Sequence, residues 1–212
     1  MARPVVCISR LLGAGGREVG RLVAERLGYV HVDEEIVQQA AAGQGLAVDQ
    51  LADVERRSTF MDKLLESMTL AGGAEGYMMG AIGTLPPPPT TSDRDSLREL
   101  IRRSIEETAD RGAVVIVAHA ASYALRGRDD VLRVLVTASD ETRRRRASSE
   151  GSLDEKQAAK AVRNDDAGRA AYLKQFYGVD REAPTHYDLT LNTDRVALEV
   201  AAGIIVQAAT SD

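Results

Sequence analysis

The chain has a single cysteine, Cys7, so no internal disulfide can form. That thiol lies within the apolar run Val5–Ile8, which predicts a buried, inert group and a reducing compartment. Long apolar runs are also missing. "AVVIVAHAASYAL" and "VALEVAAGIIVQAA" are too short to cross a bilayer and are interrupted by His119 and Glu199. No charged-then-apolar leader with a small-residue cleavage site opens the chain, so a cytoplasmic protein without a membrane partner is predicted. Positive charge is in deficit. A net charge of -5 and a pI near 5.4 disfavour general binding to nucleic acid or anionic lipid, so any basic patch must be local.

What is present suits one compact α/β domain: 212 residues, 44% of them hydrophobic. "PVVCIS" reads as a buried strand, short, β-branched and bounded by turn residues. Val19, Leu22, Val23 and Leu27 then recur at helical spacing, and Gly28 occupies the usual left-handed end position. "YVHVD" is a second strand ending at Asp33. Helical patterns follow from Ile36 and over Val48–Leu70. Ala71–Asp93, with "AGGAEGYMMGAIG" and four successive prolines, predicts a mobile loop at about 71–93. "SLRELIRRSIEETADRG" is a helix ending at Gly112, and "AVVIVA" is the most apolar strand. "VLRVLVTA" and "DLTLNT" complete the strands, with helices at "DETRRRRASSEG", Leu153–Tyr177 and "RVALEVAAGIIVQAA". Strands alternating with helices predict a doubly wound parallel sheet whose ligands bind at the carboxyl ends of the strands.

"ISRLLGAGGREVG" lies at such an end. Gly13, Gly15 and Gly16, with Ala14 between them, let backbone N–H groups converge on an anion, helped by the positive end of the next helix. The same residues also suit a tight strand-to-helix turn with no ligand. The phosphate-loop pattern GxxxxGK[ST] is broken in either register: its lysine position falls on Gly16 or, with one more residue, on Arg17. Arg17 could neutralise phosphate oxygens with a planar fork instead of a compact ammonium. Glu18 could ligate Mg²⁺ or simply favour the helix start through the dipole.

Taken together, "ISRLLGAGGREVGRLVAERLGY" and "VHVDEEIV" resemble the opening of the cytidylate kinase-like family, a branch of the P-loop nucleoside monophosphate kinases. Ser9, Arg10, Gly13, Gly15, Gly16, Arg17, Glu18 and Asp33 carry the likeness, and the missing lysine is a habit of that branch. The later segments "TASDETRRRRA", "AVRNDDAGRAAYLKQFYGV" and "YDLTLNT" are similar to the same family, with Arg143, Arg146, Asp165, Asp166 and Arg169 on matching positions and Arg163 a near match. The resemblance implies a P-loop NTPase-type parallel sheet flanked by helices, a single domain over 1–212, and a small helical lid at about 148–162. It also implies ATP and Mg²⁺ as cofactors and small-molecule nucleotides as substrates, CMP or dCMP first. Oligomeric state is left open.

Two departures touch the acceptor side. After "AVVIVA" the family carries Gly-Arg-Asp or Gly-Arg-Gly-Ala, whereas this chain has Ala118, His119, Ala120 and Ala121; after Asp33 it has "EEIVQQ". His119, Asp33, Asp165 and Asp166 are the residues expected near substrate. Arg143 to Arg146 step about 100° per residue on a helix, so at most two share a face. Arg143 and Arg146 are the pair expected at the phosphates, the alternative being a solvated face paired with Glu150, Asp154 and Glu155. Arg163 and Arg169 would add charge, oriented by Asp165 or Asp166. Two further readings keep the fold: another small acceptor, or a degenerate nucleotide-binding protein that docks a partner through Tyr77, Met78 and Met79.

Overall fold

A computed structural model describes residues 3–33, 102–103, 105–118 and 121–211. The loop at 71–93, the segment after Asp33 and His119 lie outside the described residues. Five parallel strands form one sheet in the order β2-β3-β1-β4-β5: β1 Val5–Arg10, β2 Val30–Asp33, β3 Val114–Val117, β4 Val131–Thr137 and β5 Leu189–Asn192. Helices α1 Gly16–Leu27, α2 Ala121–Ala124, α3 Asp140–Gly151, α4 Glu155–Tyr177 and α5 Leu198–Thr210 connect or close them.

β1 is central because both of its faces are apolar. Val6 and Ile8 enter a core with Val115, Val134 and Val136, under Val19 and Val23 of α1 and Ala201 and Ile205 of α5. Val5 and Cys7 enter the opposite core with Ile116, Val131 and Leu125, covered by the helical residues 105–110 through Ile105 and Ala109. A strand buried on both sides is a continuous hydrophobic run, which is why "PVVCIS" and "AVVIVA" can be read directly. Burial makes Cys7 inert, pushing its thiol up to about 12.

Helix α1 lies close over this sheet. A Cβ at Gly20 would stand 2.3 Å from Val117 Cγ2, so only glycine permits that approach. Gly28 ends the helix at φ 67, its amide reaching back to the Ala24 and Glu25 carbonyls. α3 starts under a Ser139 cap that accepts from the Thr142 amide, and α4 starts with an Asp154–Gln157 capping box. These two helices form a hairpin through Ser152, and the partly buried Leu153 and Leu12 pack against Ala147, Ala158 and Val162 between them. Leu12 belongs to the glycine loop, so the hairpin expected as the lid packs against that loop. No helix among the described residues is long and apolar enough to cross a membrane.

Candidate active site

β1 ends at Arg10 between β3 and β4, and the chain reaches α1 through Leu11–Gly15. The order of strands reverses here, since the chain goes from β1 to one edge of the sheet and later crosses to the other. Gly13 (φ 74) and Gly15 (φ 79) take the left-handed conformation, which L side chains rarely adopt. No side chain caps the start of α1. Its first-turn amides and positive dipole end therefore form a ready anion site.

The carbonyls of this loop are held from behind by distant parts of the chain. Leu12 O accepts from Arg143 Nε at 2.8 Å, Ala14 O from the Thr193 hydroxyl at 2.8 Å, and Gly13 O from Arg146 Nη1 at 3.4 Å. Arg10 O lies 3.5 Å from Arg169 Nη1, and the Leu12 amide donates to Asp165 Oδ2 at 3.2 Å. In a planar trans peptide the carbonyl and the following N–H point in opposite directions. Anchoring the Leu12 and Ala14 carbonyls thus aims the Gly13 and Gly15 amides away from α3 and Thr193. The arginines expected at the phosphates do converge on the loop, but their contacts here are with its backbone.

Each guanidinium has a further partner. Arg143, its side chain 5% exposed, makes a fork to Asp166 at 2.7 and 3.0 Å. Arg146 donates to Thr193 Oγ1 at 2.8 Å and to Thr193 O at 2.9 Å. Arg169 is buried, with Nε 2.8 Å from Glu182 Oε2 and Nη2 3.1 Å from the Tyr187 hydroxyl, which itself donates to Glu182. Burial pushes the Glu182 carboxyl up, but the Arg169 guanidinium and Tyr187 hydroxyl outweigh it and hold the group below its ordinary value. Burial also raises the Tyr187 hydroxyl well above the usual phenol range, so it remains a donor.

Asp165 and Asp166, expected to orient Arg163 and Arg169, also reach the loop and Arg143. Asp166 holds Arg143, Asp165 accepts from the loop, and Glu182 holds Arg169. Arg169 is buried, and the chain returning after Gly178 brings it the partly exposed Glu182 carboxylate. Arg163 lies on the exposed face of α4. Arg144 pairs with Asp140 at 3.0 Å, and Arg145 is exposed.

At the other side of the loop, Arg17 Nε meets Asp33 Oδ2 at 2.7 Å, joining the first turn of α1 to the end of β2. Glu18 is exposed and paired to Arg21 at 2.6 Å, which holds its carboxyl below the ordinary range. Glu18, expected as a magnesium ligand, is paired to Arg21 at the surface, and among the described residues no three His, Cys, Asp or Glu stand together for a metal. Ser9 is fully buried beneath the loop, its hydroxyl 3.0 Å from that of Ser122, so its place is structural support. Thr193 and Glu182 were not singled out in the sequence. Thr193 could have been, since "DLTLNT" ends there and carboxyl ends of parallel strands are where sites form.

The fold is shared with known kinases. An uncharacterized protein from Eubacterium ventriosum superposes with a TM-score of 0.68 at 17% identity, over 98% of each chain. The shikimate kinase of Acinetobacter baumannii, solved with shikimate, gives 0.51 at 15% identity over 97% of this chain and 92% of its own. That of Bacteroides thetaiotaomicron gives 0.51 at 15% over 96% of both. At such identities the likeness is one of fold, an α/β P-loop kinase sheet. No curated protein matches the sequence. The sequence itself matches the cytidylate kinase-like family over residues 5–195, a stretch that contains the glycine loop and every arginine gathered around it, and the chain belongs to that family.

Proposed function

We propose that this protein moves the γ-phosphate of ATP onto a nucleoside monophosphate, with CMP or dCMP the first acceptor to test. The observation that carries the reading is the glycine loop, with its carbonyls pinned from behind and an uncapped helix start in front. Phosphoryl transfer asks a protein for positioning and positive charge more than for covalent chemistry. Gly13, Ala14, Gly15 and Gly16 would hold the phosphate chain through backbone amides, doing without a lysine. ATP would enter as its magnesium complex, the metal offsetting charge on the phosphates.

Arg17 and Arg146 border the loop and are the guanidinium groups best placed to turn toward phosphate oxygens, Arg17 being two-thirds exposed. Arg143 and Arg169 act through the backbone they hold. The hairpin at about 148–162 is the proposed lid, already in contact with the loop through Leu12. Asp33, at the end of β2 and 15% exposed, is the proposed acceptor-side group. A carboxylate suits hydroxyl groups, so it also favours a second reading, transfer to a small hydroxyl-bearing acceptor of the kind that the shikimate kinases bind.

A coupled ADP-release assay across nucleoside monophosphates and small hydroxy acids decides between them. Turnover with CMP or dCMP, reduced at least tenfold in Arg146→Ala, supports the first reading. Turnover only with another acceptor supports the second. Nucleotide binding with no turnover on any acceptor would leave a binding protein and overturn both.

A further inference from the structure

Thr193 is the first residue after β5, is 1% exposed, and makes contacts in three directions. Its hydroxyl stands 2.8 Å from Ala14 O, 2.8 Å from Arg146 Nη1 and 3.3 Å from Thr137 O. A hydroxyl has one proton and two lone pairs. The guanidinium can only donate, so it takes a lone pair; the proton then goes to one of the two carbonyls, and the shorter contact is to Ala14. The Thr193 backbone is fixed as well: its amide donates to Thr137 O at 2.9 Å, extending the β4–β5 ladder, and its carbonyl accepts from Arg146 Nη2. One side chain thus joins the end of the sheet, helix α3 and the glycine loop at a single point.

We infer that Thr193 is a positioning residue of the phosphate loop: its hydroxyl turns the Ala14–Gly15 peptide so that the Gly15 amide faces the nucleotide, and it fixes Arg146 at the loop's edge. The inference rests on the loop being the phosphate cradle proposed above. The link from contact to function is the rigidity of the peptide plane. If the Ala14 carbonyl loses its donor, that plane can rotate, because Gly15 at its far end tolerates either sign of φ. A rotated plane points an oxygen, not an N–H, at an incoming phosphate. The same loss frees Nη1 of Arg146 from its anchor, so two elements of the cradle lose their aim together.

The test compares Thr193→Val, which keeps the shape and removes the hydroxyl, with Thr193→Ser, which keeps the hydroxyl. Two measurements are made on the full chain: amide hydrogen exchange over residues 11–19 without ligand, and titration and turnover with MgATP. In Thr193→Val, faster exchange over the loop is expected, together with a KM and Kd for ATP raised roughly fivefold to tenfold, the effect of one lost hydrogen bond. The acceptor KM stays near the parent value, and Thr193→Ser behaves like the parent throughout. A residue that served only the fold would lower the melting temperature without this split between donor KM and acceptor KM.

Parent-like exchange and ATP affinity in Thr193→Val, or equal loosening in Thr193→Ser, would overturn the inference. If the parent protein itself binds no ATP, the proposed function fails. The positioning role is then judged on loop exchange alone, where the same valine–serine contrast supports it or removes it. Should the valine variant not fold, Thr193→Ala removes the hydroxyl without asking the site to accept a new methyl, and it is read in the same way.

Discussion

Gly13→Ala tests whether the loop holds the shape described. Gly13 sits at φ 74, where a residue with a Cβ pays about 1–2 kcal/mol. The new Cβ would also lie 2.3 Å from the Arg143 carbonyl oxygen and 2.9 Å from the Arg143 Cα, both backbone atoms of α3. Ordinary contact begins at 3.4 Å, so loop and helix must part by about 1 Å. That movement strains the 2.8 Å bond from Arg143 Nε to Leu12 O. Losing a hydrogen bond to a charged group costs about 1.5–3 kcal/mol, which brings the whole change to about 2.5–5 kcal/mol. The control is Gly178→Ala, at φ 65 with nothing within 4 Å, which pays for the conformation alone. Urea unfolding of the two variants side by side, with MgATP titrations, should show Gly13→Ala clearly less stable and at least tenfold weaker for ATP. Gly178→Ala should keep the parent's affinity. Equal stability of the two variants, with ATP bound as in the parent, would refute the reasoning.

Other outcomes follow from the same contacts. Arg169→Ala should cost about 3 kcal/mol in chemical denaturation, because the largely buried Glu182 carboxylate loses the guanidinium that forks onto it. Glu182 and Asp188 both have carboxyls held below their ordinary values, Asp188 by Arg133 against the effect of burial. Their stabilisation is complete above about pH 4.5 and is lost as pH falls below it, so melting temperature should be level near neutrality and drop in acid, with Glu182→Gln flattening that drop. Cys7 should react with a thiol reagent only on unfolding, at a rate that follows denaturant; rapid labelling of the native chain would contradict its burial. Arg143→Lys keeps the charge but cannot reach Leu12 O and fork onto Asp166 together, so faster exchange at the Gly13 amide is expected.

The sheet was legible because strands buried on both faces leave little room for polar residues, as in "PVVCIS" and "AVVIVA", while the edge strand "DLTLNT" showed itself by alternation. Gly28 and Gly178 ended their helices where left-handed caps belong. The glycine loop could be located for the same local reasons. The sequence did not reveal what holds it. Arg143 and Leu12 are 131 positions apart, and Thr193 and Ala14 179 apart, contacts that no periodicity encodes. Arg143 and Arg146 were found as a pair by helical spacing, but spacing says which residues share a face and not whether that face meets a ligand or a carbonyl. Glu182 was missed because its pairing with Arg169 depends on how the chain folds back after Gly178.

The distances along the chain also bear on when the protein becomes competent during synthesis. Strand, turn and first helix all lie within residues 5–27, and the ribosome releases them early. The groups that set the direction of the turn's amides, Arg143, Asp165 and Thr193, emerge much later in translation. A nascent chain stopped short of residue 193 would display the glycines without the tension that shapes them, and nucleotide capture should therefore begin only as the last strand joins the sheet.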